Sequence, residues 1–372
     1  MIRLSKSVVG RAEAEAVAHI IEDIGYLGMG ETVGQFEHAL EDYIGGGRRC
    51  VCVNSGTAAL HLAVQAVTDP GDEVLVPSFT FVASMQAITG AGCVPVCCDI
   101  NPDTLTLDLA DAERRITPKT KAMMPVYYGS NCVMATQYQE FARKHGLRLV
   151  EDAAHSFGCT CEGHKIGSTG DVVCFSFDGI KNITSGEGGA IFTADEDVYQ
   201  QVSDARLLGV QKDSEKRYMG KRSWTFDVVD QGYRYHMSNI FAAIGLVQLS
   251  RFEREFAPKR REIAMEYTRR LKDNPNVRLI SMDYEHDIVP HIFPLEILNG
   301  KRHLVEQAFR EHDIQYGIQY FPNHLLSYFK SGYLLPVTED VYEKIISIPM
   351  HPELTEADIQ LICDTINLNT TD

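Results

Sequence analysis

From Arg48 to Asp195 the chain repeats a pattern that few folds can absorb: a short unbroken apolar run, a stretch of helical period, then another apolar run. RRCVCVNS (48–55) leads into the helical TAALHLAVQAVT (57–68), and DEVLVPS (72–78) into FVASMQAITGAG (81–92). VPVCCDI (94–100), AMMPVYY (122–128), LRLVEDA (147–153), VVCFSF (172–177) and GAIFTAD (189–195) continue the series. Strands with one wet face alternate apolar and polar residues, whereas continuous runs are buried on both faces. Separated by helices, they predict an α/β architecture with a mostly parallel sheet covered on both sides.

The pattern changes near residue 200. QKDSEKRYMGKRSW (211–224) is charged and without period, and reads as an exposed, mobile loop. Residues 240–271 give a long helical pattern interrupted at Pro258, which lacks an N–H and fixes φ. From about 280 to 368, strands such as HIFPLEI mix with helices such as KRHLVEQAFREHD and EADIQLICDTI, enough for a smaller α+β domain. At 372 residues the chain exceeds one small core. The predicted division is a large domain over 1–248 and a smaller one over 249–372, with no internal repeat.

Charge narrows the partners. With 35 Lys and Arg against 51 Asp and Glu, the net charge is −16. Such a surface repels phosphate-rich polymers and anionic membranes on average, so no nucleic-acid partner is expected. A single phosphate-bearing ligand in one local pocket stays compatible. No apolar run reaches the roughly 18 residues of a membrane span, and the N-terminal stretch lacks a signal-like apolar core. Most of the ten cysteines sit inside apolar runs, as reduced, buried thiols do, and a cytoplasmic enzyme is the simple reading. His155, Cys159 and Cys161 lie close in sequence, but without a fourth ligand at familiar spacing no metal is expected there.

Ligands of open α/β sheets bind beyond the carboxyl ends of the strands, so polar residues directly after apolar runs are the candidates. RRCVCV ends at Asn54, Ser55, Gly56 and Thr57, which open a helix and form either an anion site or a plain N-cap. LRLVEDA ends at Glu151 and Asp152, followed by His155; a carboxylate there is either a solvated end or the partner of a cation. VVCFSF ends at Asp178, Gly179, Ile180 and Lys181. A lysine between two buried strands is a candidate amine nucleophile if partly desolvated, and otherwise an ordinary surface cation. After DEVLVPS come Phe79, Thr80 and Phe81, able to stack on a planar ring or simply to pack in the core. Taken together, a phosphate cradle, a carboxylate, an amine and an aromatic plate are what pyridoxal phosphate requires.

Several longer stretches resemble the DegT/DnrJ/EryC1/StrS family of pyridoxal-phosphate-dependent sugar aminotransferases: NSGTAALHLAV, PGDEVLVPSFTFVAS, EDAAHSFG, FSFDGIKNITSGEGGAIFT, GYRYHMSNIFAAIGLVQL and IPMHPELTEADIQLI. The resemblance runs nearly end to end. It implies the aspartate-aminotransferase-like fold (fold type I), with Lys181 carrying the cofactor as a Schiff base and Asp152 facing the pyridine nitrogen. It further implies His155 near the ring hydroxyl, Phe81 against the ring, and Ser55, Gly56, Thr57 and Ser176 around the phosphate. Family members are usually homodimers with shared sites, and the resemblance brings Arg234 from the partner subunit.

Three positions depart from the family pattern. Asp178 stands where His is usual, Arg234 where Asn is usual, and GIQYFPNHL (317–325) offers Tyr320 and His324 toward the substrate. Lys181 excludes the family's 3-dehydratases, which carry His there. KNITSGEGG sides with members that aminate C4 of a nucleotide-linked 4-keto-6-deoxyhexose, with L-glutamate as donor. Amination at C3, a cyclitol ketone as substrate, or a cofactor-binding regulator without turnover are the alternatives.

Overall fold

The computed structural model describes residues 1–211, 216, 218–221 and 225–371. Its centre is a seven-stranded sheet in the order β1-β9-β8-β5-β4-β2-β3. The strands are β1 (Arg49–Val53), β2 (Glu73–Pro77), β3 (Val94–Cys98), β4 (Thr120–Met123), β5 (Arg148–Asp152), β8 (Val172–Ser176) and β9 (Gly189–Thr193). The apolar runs read from the sequence are these strands, and every residue of β8 and β9 is buried. All neighbouring pairs are parallel except those involving β9, which runs antiparallel to both β1 and β8. The reason lies in the connection. A parallel return needs a crossover, usually a helix, and residues 177–188 between β8 and β9 form none. The chain therefore turns back on itself, and the turn carries Lys181. A short hairpin, β6 (Thr160–Cys161) and β7 (His164–Lys165), lies outside the sheet.

Helices α1 (Arg11–His19), α2 (Glu31–Ile44), α3 (Gly56–Val67), α4 (Val82–Gly90), α5 (Leu109–Arg115), α6 (Ala135–His145) and α7 (Glu196–Ala205) accompany this sheet. Two apolar clusters flank it. Leu75, Met123, Leu149, Val173 and Phe175 point to one side, and Val74, Val76, Ala122, Val150, Val172 and Cys174 to the other. This is the two-faced burial that continuous runs demand.

One buried ion pair ties the sheet to its helices. Arg206, at the end of α7, is 1% exposed and pairs with Glu37 of α2. Glu37 also accepts from the Cys52 N–H, while Arg206 donates to the Cys52 carbonyl at 2.7 Å. Tyr218 completes the group by donating to Glu37 at 2.6 Å. Removing one partner leaves the other charge buried and unpaired. Arg206→Ala is expected to cost about 3 kcal/mol of stability, to be measured as a lowered urea midpoint.

The rest of the chain builds a three-stranded antiparallel sheet from β10 (Val277–Leu279), β11 (Phe293–Ile297) and β12 (Ile345–Ile348). It is accompanied by α9 (Ala257–Leu271), α10 (Arg302–Glu311), α11 (Pro336–Lys344) and α12 (Glu356–Thr370). The boundary at 248 falls inside α8 (Asn239–Arg251), and the N-terminal segment lies on the smaller sheet's side, where Ile2 bridges Ile314 and Leu4 accepts from Met350. One apolar cluster runs through both parts, with Phe175 and Met123 joined to Phe293 and Ile346.

Pro258 does not break its helix. A π-helical turn at Phe252–Phe256 joins α8 to α9, and Pro258 sits in the first turn of α9, where a missing N–H costs little. Of the charged run 211–224, residues 212–215, 217 and 222–224 lie outside the described residues. Tyr218 within it is no loose loop residue, being fixed on the buried ion pair.

Candidate active site

Because β1, β5, β8 and β2 point the same way, their carboxyl ends share one edge of the sheet, and the four candidate segments meet there. Ser55 caps α3 by accepting from the Ala58 N–H at 3.1 Å, so its hydroxyl is already engaged. The N–H groups of Gly56 and Thr57, in the first turn, have no acceptor within the helix and point outward with the helix dipole.

Gly56 is required by close approach. A Cβ there would lie 2.7 Å from the Cβ of Ser176 at the end of β8. Gly189 is required in the same way, since its Cβ would lie 2.5 Å from the Ser55 carbonyl. The glycine-rich return into β9 thus lets the strand pass against the turn that opens α3. Gly56→Ala is expected to push α3 away from Ser176 and weaken retention of a bound phosphate at least about tenfold, measurable as the Kd of a phosphorylated ligand at that turn.

Asp152 ends β5 with its side chain 5% exposed. Ser84 donates to Oδ2 at 2.7 Å and the Ala154 N–H to Oδ1 at 3.2 Å, while Thr80 and Ser84 share a bond of 2.9 Å. Burial pushes this carboxyl up; the bonds from Ser84 and Ala154 and the charge of Lys181 hold it down. Its neighbour Glu151 belongs to the opposite face, where it bonds Tyr127 and is pushed up to about 7 by burial.

Lys181 follows β8 on a turn whose N–H bonds the Asp178 carbonyl at 3.1 Å. Asp178 itself is tied locally, accepting from the Ile180 N–H at 3.3 Å and donating its own N–H to Ser176 Oγ at 3.4 Å. Next to Lys181, Asn182 donates to the carbonyls of Phe157 and Val289, both at 3.0 Å, and pins the turn from below. Burial pulls the Lys181 amine down to about 8, while the charges of Asp152 and Asp178 pull the other way. An amine near 8 keeps about a tenth of its population neutral at pH 7, far more than an ordinary lysine, and so is available as a nucleophile close to neutral pH.

A line of rings closes the other side. Phe81, the N-cap of α4, is 56% exposed, with its ring centroid 5.6 Å from that of Tyr320. The Tyr320 hydroxyl lies 3.3 Å from His155 Nε2, and the Gly129 N–H donates to His155 Nδ1. His155 packs on His291 with centroids 4.6 Å apart, and His291 Nε2 is 3.4 Å from Lys181 Nζ.

His291 was not singled out in the sequence. It sits just before β11, more than a hundred residues from Lys181, and the only signal was a polar residue inside the apolar run VPHIFPLEI. His324 lies in the short turn Asn323–Leu325. It is fully buried, with its nitrogens 2.7 Å from Ser78 Oγ and 3.3 Å from Glu339, so it braces the end of β2 instead of facing open space. Arg234 is exposed, and its carbonyl accepts from Asn54 of the same chain at 3.4 Å. Cys159 and Cys161 bond backbone carbonyls, Val289 and Val133, while His155 faces Tyr320.

The residues fit pyridoxal phosphate. The first turn of α3 leaves the Gly56 and Thr57 N–H groups without acceptors in the helix, Gly56 lets Ser176 lie close beside them, and a buried carboxylate, a partly buried amine and an exposed aromatic plate stand on the same edge.

Comparison with known proteins agrees. Residues 9–367 match the family model described as DegT/DnrJ/EryC1/StrS aminotransferase family. A dTDP-4-dehydro-2,3,6-trideoxy-D-glucose 4-aminotransferase of Saccharopolyspora spinosa is 33% identical over 98% of this chain and 95% of its own length. The aminotransferase TlmJ of Streptoalloteichus hindustanus superposes with a TM-score of 0.90 at 28% identity, over 99% of this chain and 98% of its own. Spr1654 of Streptococcus pneumoniae, in its PLP form, superposes with a TM-score of 0.87 at 28% identity, over 99% and 98% of the two chains. The chain belongs to the DegT/DnrJ/EryC1/StrS aminotransferase family and is a pyridoxal-phosphate-dependent sugar aminotransferase.

Proposed function

We propose that this family member moves an amino group from L-glutamate to the C4 carbonyl of a nucleotide-linked 4-keto-6-deoxyhexose. The observation that carries the reading is the Lys181 amine, lowered to about 8 and set at the strand edge that also holds Asp152 and the open turn of α3. KNITSGEGG and the 4-aminotransferase among the relatives support amination at C4.

When bound, pyridoxal phosphate supplies an electron sink through which an amino group passes from donor to acceptor. The chain's own residues do the rest. Gly56 and Thr57 hold the phosphate through their N–H groups, with Ser176 beside them. Asp152 keeps a proton on the pyridine nitrogen, because an ionised carboxylate against it favours the charged form. Phe81 and His155 would line the ring's place, Phe81 as an apolar plate and His155 as a neutral hydrogen-bonding partner. Lys181 Nζ is the covalent anchor. Displaced by an incoming amine, it would be free to take up a proton and give it back, as a base near neutrality can. Asp178 and Tyr320 face the sugar.

A second copy of the chain completes the site with Arg234, whose charge suits a phosphate. Exposed Phe226, Val228 and Val229, just upstream of Arg234, support such a pairing of copies. Among the described residues no helix is long and apolar enough to cross a membrane.

The test is an absorbance spectrum of the purified protein before and after adding L-glutamate, followed by nucleotide-linked 4-keto sugars. Conversion by glutamate and reversal by the 4-keto sugar are expected. A bound chromophore indifferent to glutamate would exclude this donor, and reversal only by a 3-keto sugar would move the amination to C3.

A further inference from the structure

Among the groups around Lys181, His291 is the one whose side chain the reaction outlined above leaves without a task. It is 2% exposed, on the segment leading into β11. Its backbone is held independently of its ring: the N–H donates to Ser130 Oγ at 2.9 Å, and Arg260 of α9 donates to its carbonyl at 3.3 Å. What the imidazole itself touches is Lys181 Nζ, at 3.4 Å from Nε2, and the ring of His155. Its other nitrogen, Nδ1, is buried and has no hydrogen-bond partner.

That asymmetry selects the tautomer. A proton on Nδ1 would leave a buried N–H donor unsatisfied, which is rarer and costlier than a bare lone pair. The proton belongs on Nε2, pointing at the lysine. A positive imidazolium is disfavoured by burial first, and then by the charges of Lys181, His155 and Arg260.

We infer that His291 is a positioning residue for Lys181: its neutral imidazole donates Nε2–H to the lone pair of Nζ and holds the free amine aimed along the strand edge. The role rests on the aminotransferase reading, since only a lysine that is released and must act as a base needs holding while free. Such a bond exists only with the unprotonated amine, so it favours that form. The other groups facing Nζ are Asp152 from β5 and Asp178 from its own turn, which favour the ammonium, and His155, which is held neutral by burial. His291 therefore works with burial and against the two carboxylates.

The test is competitive labelling of the full chain, freed of bound cofactor, with trace acetic anhydride from about pH 6 to about pH 11. Modification at Lys181 is read by peptide mass spectrometry. In the wild-type chain the midpoint is expected near 8. In His291→Leu it rises by about one pH unit, a roughly tenfold loss of neutral amine below the midpoint. His291→Gln, whose terminal amide can reach the same point and donate, restores most of the shift. Should the leucine variant not fold, His291→Met, similar in bulk and without an N–H, is read in the same way. A midpoint unmoved or lowered in a folded variant overturns the assignment and leaves the aminotransferase reading standing. A wild-type midpoint at the ordinary lysine value of about 10.4 overturns the premise of a primed amine itself.

Discussion

Lys181→Ala is expected to abolish turnover, with a loss of at least about 10⁴-fold in kcat. Three features of the site make this the largest effect. Lys181 stands on the shared strand edge, on a turn fixed by Asn182 below and by the Asp178 carbonyl behind. Its amine is lowered to about 8, so it can serve as nucleophile and as base at the same pH. No neighbour can replace it, because burial holds both His155 and His291 far below the ordinary histidine value. A base that weak cannot take a carbon-bound proton at a useful rate. The variant should still fold and bind pyridoxal phosphate reversibly through Gly56, Thr57 and Asp152. Reduction with borohydride separates the roles: it should fix the cofactor to the wild-type chain at Lys181, seen as a mass increment on that peptide, and fix none to the variant. Residual turnover within about tenfold of wild type would mean that another group moves the proton.

Much of this site is legible in the sequence because each part hangs on a strand end. Asp152, Lys181 and the Asn54–Thr57 turn are written as polar residues following apolar runs, and a parallel sheet brings such ends to one edge without further information, while Ser176 is implied by the family resemblance. The antiparallel return of β9 is not read from the sequence, which shows the two apolar runs flanking the Lys181 loop but not their relative direction. What the chain hides is contact made from a distance. His291 reaches Lys181 from the start of β11, and nothing in VPHIFPLEI sets it apart from a satisfied core histidine. His324, offered toward the substrate by the family resemblance, has both nitrogens beside Ser78 and Glu339, contacts equally invisible in local sequence.

The smaller part of the fold was harder to delimit for a related reason. Continuity of a helix through a π-turn, and an N-terminal segment that bonds residues some three hundred positions away, leave no mark in local composition. Arg206 belongs here as well. Nothing in DARLLGV shows that this arginine is buried against Glu37, because the partner is supplied by packing.

Asp152→Ala is expected to lower kcat by about 10³-fold and to weaken cofactor retention at the same time. The chemistry requires a negative charge opposite a ring nitrogen, and the surroundings of Asp152 show how that charge is kept. Burial raises the carboxyl on balance; Ser84 and the Ala154 N–H oppose this in part by bonding the ionised form, and Thr80 orients Ser84 in turn. A cation placed against the carboxylate is the further partner that such a group favours. Asp152→Asn separates position from charge, since its amide oxygen can still accept from Ser84 while the negative charge is gone. It should hold the cofactor's phosphate and ring in place yet turn over nearly as slowly as the alanine variant. Ser84→Ala, with the carboxylate intact but one bond poorer, should fall between these variants and wild type, at roughly tenfold below wild type. Steady-state kcat and cofactor Kd for the three variants decide the matter. An asparagine variant as active as wild type would show that Asp152 only shapes the site, and that the proton on the ring nitrogen is dispensable here.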